Sequence, residues 1–217
     1  TPEFRGRKGI GVEKTAQQIT GITFFSLTGS QTADFDIKVY GVKWIMAGSL
    51  IKISETTVSS AVSSVSLVGI DSTYDVYMVT VSNLQCDTDV EDVKCRVTES
   101  STPNTTANYD RASKLLRAGH SIANQYASNE TSWDMGTNIG TATGESSNFV
   151  QYIFNANNSS EYTFMTKEVA ELNSTPELVG QQGGGVFTST STVNGINFFM
   201  DSGNIDVGNF KLYGLKK

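Results

Sequence analysis

The sequence predicts an all-β fold, an antiparallel β-sandwich preceded by an extended N-terminal arm, and three observations carry that reading. Short stretches of β-type residues recur from Lys43 onward, close to the spacing of about 8 to 12 residues found in sandwiches and barrels. Ser and Thr number 25 each, more than a fifth of the 217 residues, which favours strands over helices on the solvent side. In two stretches the polarity alternates with period two: Tyr77, Val79 and Val81 against Met78, Thr80 and Ser82, and Val93, Cys95 and Val97 against Lys94, Arg96 and Thr98. One face of each strand is dry and the other wet, as an antiparallel sandwich requires, and Cys95 points inward. At 23.4 kDa one principal core is expected.

The chain divides into an arm with leading strands, 1–42, and a sandwich domain, 43–217. Arg5, Arg7, Lys8 and Lys14 cluster at the start, with Gly6, Gly9 and Gly11 between them. This reads as an arm that orders against a partner surface, or as a frayed terminus. Ile19 to Leu27 and Phe35 to Val42 are the leading strands. In the domain, strands are expected over Lys43–Thr57, Ser63–Val68, Tyr74–Leu84, Val93–Glu99, Phe149–Asn155, Glu161–Lys167, Gly185–Thr190, Ile196–Met200 and Asn209–Leu215. Asp71-Ser72-Thr73, Thr102-Pro103-Asn104, Asn157 to Ser160, Gly183-Gly184 and Ser202-Gly203-Asn204 supply turn chemistry between them. Tyr109 to Ala127 fits a helix or an irregular strand equally: Ala112, Leu115, Leu116, Ala118, Ile122, Ala123 and Tyr126 fall near helical spacing, but Gly119 interrupts them.

A net charge of −6 gives no general field for phosphate backbones, so nucleic acid is not an expected partner. No stretch approaches the roughly 18 to 20 apolar residues of a membrane helix. The single histidine, His120, reads as structural or surface; one His and one Cys pair do not make a zinc site of clustered ligands, and no Gly-x-Ser-x-Gly elbow occurs to nominate a nucleophile. No enzyme and no cofactor is expected.

Cys86 and Cys95 are the only cysteines and could face each other across a hairpin, as a disulfide or as two buried thiols. Between them Asp87, Asp89, Glu91 and Asp92 have the oxygen density of a calcium loop without the spacing or glycine of an EF-hand; a solvated hairpin tip is the plainer reading. Trp133, Tyr109 and Tyr126, with Trp44 and Tyr152, could stack on sugar rings or be ordinary core aromatics. Gly180 to Gly185 and the spaced Gly136, Gly140 and Gly144 lack the Gly-Lys-Ser/Thr of a phosphate loop and read as bends or close backbone contacts. Asn104, Asn129, Asn158 and Asn173 begin Asn-x-Ser/Thr sequons, about the number chance supplies, so they do not imply glycosylation.

Two segments carry a resemblance: Gly69-Ile70-Asp71-Ser72-Thr73-Tyr74-Asp75-Val76-Tyr77, and Ser202-Gly203-Asn204-Ile205 through Gly208-Asn209-Phe210-Lys211-Leu212-Tyr213-Gly214-Leu215-Lys216. They resemble a family of bacteriophage virion proteins, of the marine and cyanophage type, whose Ser/Thr-rich sandwich ends in a strand of this form. The similarity spans roughly Leu50 to Lys217 and includes Gly184-Gly185-Val186-Phe187 and Val193 to Phe198, while residues 1–42 depart from it. The resemblance implies a jelly roll and a structural role on a tailed-phage particle, assembled in the host cytoplasm, multi-copy or homo-oligomeric. Its partners would be other virion proteins, the major capsid protein or tail proteins. A capsid decoration subunit bound through the arm is the expected role, and a tail-fibre or receptor-binding module that adheres to host glycan is the alternative. Phe35 to Lys43 echoes Asn209 to Lys216 closely enough to suggest two equivalent strands.

Overall fold

The computed structural model describes residues 50–119 and 122–216. The arm residues Arg5, Arg7, Lys8 and Lys14, both leading strands, Trp44 and His120 lie outside them. The described chain is all-β, with thirteen strands in two antiparallel sheets and no helix among the described residues.

The large sheet holds β1 (Leu50–Val58), β3 (Val76–Cys86), β6 (Tyr109–Arg117), β7 (Ala123–Glu130), β9 (Ser147–Phe154), β10 (Thr163–Leu172), β11 (Leu178–Phe187) and β13 (Ile205–Leu215), in the order β1-β13-β3-β9-β10-β11-β6-β7. The small sheet holds β2 (Ser64–Val68), β4 (Val93–Glu99), β5 (Thr102–Pro103) and β12 (Gly195–Met200) in the order β2-β12-β4-β5, and β8 (Trp133–Asp134) also pairs with β4. The chain crosses between sheets at each of the steps β1 to β2, β2 to β3, β3 to β4 and β12 to β13.

Alternation places the core between the sheets. From the large sheet come Tyr77, Val79, Val81, Phe149, Ile153, Phe210 and Leu212; from the small sheet come Val65, Leu67, Val93, Cys95, Val97, Ile196 and Phe198, all buried. Phe198 joins the layers, its ring centroid 5.7 Å from Phe149 and 5.6 Å from Phe210. The full burial of the Phe198, Phe210 and Leu212 side chains makes each a contribution of about 1.5–3 kcal/mol from apolar area removed from water.

The two segments that carry the resemblance meet. Tyr77 pairs with Gly214, and a Cβ on Gly214 would overlap the Tyr74 ring, so glycine there admits the aromatic against the sheet. The Tyr77 hydroxyl donates to the Asp71 carbonyl at 2.6 Å and accepts from the Asp71 amide, while the Thr73 amide donates to Asp71 Oδ1 at 2.8 Å. A strand residue therefore fastens the turn that precedes it.

One open expectation is settled and two need correction. Of the two readings open for Tyr109 to Ala127, the helix fails and the strand holds, as the hairpin β6–β7 with a register shift between Tyr109 and Arg111, Ala112 opposite Tyr126 and Lys114 opposite Asn124. Gly183-Gly184 is not a break: β11 runs through it, because Gly183 lies against the Ser113 backbone of β6 and Gly185 against the Trp133 ring, where any side chain would collide. Thr102-Pro103 was expected as part of a turn, but the turn is made by Ser100 and Ser101, both at positive φ, and Thr102-Pro103 pairs back onto β4. Lys43–Thr57 is described only from Leu50, and β10 runs on to Leu172.

Candidate functional site

The polar groups of unusual environment gather on the inner face of β10 and β11. In Thr163–Leu172 the residues Met165, Lys167, Val169 and Glu171 share one parity and are all buried. On β11, Gln181 shares parity with Val179 and Phe187 and is fully buried. The Lys167 ammonium donates to the Asp134 carbonyl at 2.6 Å and to Gln181 Oε1 at 2.7 Å. Gln181 Nε2 donates onward to Glu171 Oε1 at 3.3 Å. Glu171 also accepts from the Thr137 amide at 2.9 Å and from the Ser147 hydroxyl at 3.0 Å.

Burial governs the protonation of this chain of groups. It pushes the Glu171 carboxyl up to about 7, against the Thr137 and Ser147 hydrogen bonds, and the Lys167 ammonium down to about 8, against the attraction of Glu171. Burial also raises Asp134, despite its ion pairs with Arg111 and Lys94.

What the network does is visible from its backbone partners. The segment Trp133 to Ser147 lies over the inner face of β10 and β11, with Trp133 against Gly185, and only two of its residues pair as strand before β9 begins. Backbone groups buried under such a segment cost about 1–3 kcal/mol each when unpaired. Lys167 satisfies the Asp134 carbonyl and Glu171 the Thr137 amide, so the buried polar side chains supply hydrogen bonds that an adjacent strand of the same sheet would otherwise give these backbone groups.

The aromatics expected as sugar platforms separate. Trp133 and Tyr109 are fully buried, edge to face at 5.1 Å, with Phe187 at 4.9 Å from Tyr109, and so cannot stack on a ligand. Their polar atoms are used: Trp133 Nε1 donates to the Asp110 carbonyl, and the Tyr109 hydroxyl donates to the Asn104 carbonyl and accepts from the Val97 amide. Tyr126, by contrast, is 80% exposed on β7, and Tyr152 is exposed on the outer face of β9.

Cys86 and Cys95 do not face each other across a hairpin. β3 and β4 belong to different sheets, and both thiols are free and buried. The Cys86 thiol lies 3.6 Å from the Ile139 carbonyl, and Cys95 Sγ accepts from Gln151 Nε2 at 3.8 Å. Burial raises them to about 11 and about 12.

The acidic residues between the cysteines are turned to separate uses. Asp87 accepts from the Asn204 amide at 2.7 Å and its side-chain amide at 2.8 Å, and these bonds, the side-chain one foremost, hold its carboxyl low. Asp89 accepts from the Thr141 amide, Asp92 from the Asn138 amide, and Glu91 pairs through its backbone with Ile139. Asp87, Asp89 and Asp92 are thus tied to separate neighbours. Among the described residues no group of three or more His, Cys, Asp or Glu is arranged to hold a metal.

The signal for Lys167, Glu171 and Gln181 was present as parity with buried apolar neighbours. Nothing local announced the segment that they support. In comparison with known proteins, no family model, no curated protein and no solved structure matches the chain.

Proposed function

We propose that this chain is a structural protein of a tailed-phage particle, a decoration subunit that attaches to the capsid through its N-terminal region. The observation that carries the proposal is the strand order. We read β1-β13-β3-β9 over β2-β12-β4-β8 as a jelly roll, since repeated crossings between the sheets interleave the first and last strands of the chain. The hairpins β6–β7 and β10–β11 then extend one sheet by four strands. Jelly rolls are the recurrent architecture of viral shell proteins and of lectins, so the fold supports a virion role alongside the resemblance of Gly69–Tyr77 and Gly208–Lys216.

Two further features fit attachment to protein neighbours. Among the described residues β1 and β7 are each paired on one side only, leaving backbone edges able to accept a strand from an adjoining subunit. Arg5, Arg7, Lys8 and Lys14 concentrate positive charge at the start of an otherwise acidic chain, which suits capture by an acidic capsid surface.

Cryo-EM of particles assembled with and without this protein tests the proposal. Loss of density on the shell is expected. Loss at the tail tip would replace it with the receptor-binding role, and particles unchanged at both places would end the virion reading. Deleting residues 1–20 should abolish attachment while leaving the sandwich folded, because the buried core of the described chain is built from Val58 onward.

A further inference from the structure

We infer that the outer face of the large sheet, where the β10–β11 and β6–β7 hairpins extend it, is a binding groove for a neutral oligosaccharide. The register defines it. One row across the sheet reads Tyr152 on β9, Thr166 on β10, Gly184 on β11, Ala112 on β6 and Tyr126 on β7. Residues directly opposite in antiparallel strands point to the same face, and the buried parity of β9 and β10 turns this row outward. Two tyrosine rings thus stand at the ends of a floor made of Thr, Gly and Ala. Four inter-strand steps separate them, about 19 Å, the reach of a short oligosaccharide.

The two banks differ in chemistry. One row beyond the floor lie Phe164, Val186 and Asp110, with Phe164 46% exposed. On the opposite bank lie Glu168, Gln182, Lys114 and Asn124, again in one cross-strand row. A hollow of about 360 Å³ opens where the floor meets this polar bank, bounded by Ala112, Lys114, Gln182, Asn124 and Tyr126. The Lys114 ammonium donates to Asn124 Oδ1 at 2.6 Å, which orients both side chains along the hollow.

The occupant follows from charge and shape. Glu168 and Lys114 on the polar bank cancel, the rest of that bank is amide, and Asp110 beside Val186, which accepts from the Asn129 amide, adds a single negative charge, so an anionic ligand is disfavoured and nothing concentrates enough charge to select a cationic one. What matches is a molecule dense in neutral hydroxyls with apolar C–H faces: pyranose rings lying on Tyr126 and Tyr152 while their hydroxyls bond the Gln182 and Asn124 amides. Gly184, with no side chain, lets the ring approach the sheet. The inference does not depend on where a particle would carry the chain, and it moves the sugar site away from Trp133 and Tyr109 to residues that solvent reaches.

The test uses the full-length protein and a panel of cellohexaose, maltohexaose, xylohexaose and mannohexaose, with binding read by titration calorimetry and by saturation-transfer NMR. At least one hexasaccharide should bind at millimolar concentration or tighter. Tyr126→Ala should weaken that binding by on the order of five- to tenfold, from the loss of one stacking platform. Ala112→Glu should abolish it by filling the floor. Both positions are exposed, so thermal melts should match wild type, and Val68→Ala on the small sheet should bind as wild type does. Absence of binding to the whole panel overturns the inference, as does wild-type affinity in both groove variants. A self-association in sedimentation that Tyr126→Ala dissolves would also overturn it, by assigning the face to a second copy of the chain.

Discussion

Replacing Glu171 by Gln should make the protein more stable at neutral pH than at mildly acidic pH relative to wild type, and the size of the change can be worked out. The carboxyl is 2% exposed, and burial raises it from 4.5 to about 7. A folded-state value above the unfolded one means that the folded chain holds the proton more tightly. The stability contributed by the protonated acid is therefore fully present below about pH 4.5 and is lost as pH rises through 7. A displacement of this size corresponds to about 3 kcal/mol. Gln keeps the Oε1 acceptor for the Thr137 and Gln181 donors and has nothing to ionise, so it escapes the loss. Lys167 adds to the divergence. Its ammonium, already lowered to about 8 by burial, loses the attraction of Glu171 and falls further, and a lowered lysine gains stability as pH rises toward its unfolded value. Thermal melts of both proteins at pH 5 and pH 7.5 read the effect: the gap in Tm should widen in favour of Glu171→Gln by about 6–12 °C for a domain of this size. Parallel curves for the two proteins would mean that Glu171 is ionised and hydrated in the folded state, and the sealed network would be refuted.

Three other outcomes follow from the same packing. Gly185→Ala places a methyl 2.6 Å from Trp133 Nε1 and 2.9 Å from the Asp110 carbonyl, a collision expected to cost on the order of 1–3 kcal/mol in urea denaturation; an unchanged midpoint would show that the Trp133 ring is not held against β11. Tyr109→Phe strips one hydroxyl that serves the buried Val97 amide and the half-buried Asn104 carbonyl, and should lower stability by about 1–3 kcal/mol with the fold retained, as read by the same titration. Both thiols should be silent to a water-soluble disulfide reagent in the native protein at pH 8 and react only on unfolding, because burial holds Cys86 near 11 and Cys95 near 12; rapid reaction of either in the native state would contradict its placement.

The sandwich was legible because its central strands alternate over most of their length, although Met78 and Thr98, expected on the wet faces, are buried as well. Tyr77, Val79 and Val81, and Val93, Cys95 and Val97, are buried as their alternation requires. The hairpin β6–β7 was not legible, for a physical reason. Its outer row, Asp110, Ala112, Lys114 and Leu116, and its inner row, Arg111, Ser113, Leu115 and Arg117, are both mixed, because polar and apolar residues share each face. With no dry face to set a period of two, spacings of three and four fall on apolar residues by accident and mimic a helix. The glycines of β11 failed for the opposite reason. Local chemistry assigns Gly-Gly to a turn, but here the glycines answer to Ser113 and Trp133, far away in the chain.

The same cause explains the two sets of residues that the sequence placed poorly, the buried charges and the sugar platforms. Where the small sheet faces the large one, each inward side chain meets another strand's side chains and can be apolar. Where β10 and β11 are faced instead by the segment from Trp133 to Ser147, the inward side chains meet backbone, and Lys167, Glu171 and Gln181 are polar because the carbonyl of Asp134 and the amide of Thr137 need partners. That segment takes Trp133 and Met135 into the interior. On the outer side nothing among the described residues covers the extension, so Tyr126 and Tyr152 keep their rings in solvent. A tyrosine's environment in this protein therefore follows from which side of the extended sheet its parity selects: inward for Tyr109, a core hydrogen-bonding group, and outward for Tyr126 and Tyr152, whose rings solvent reaches.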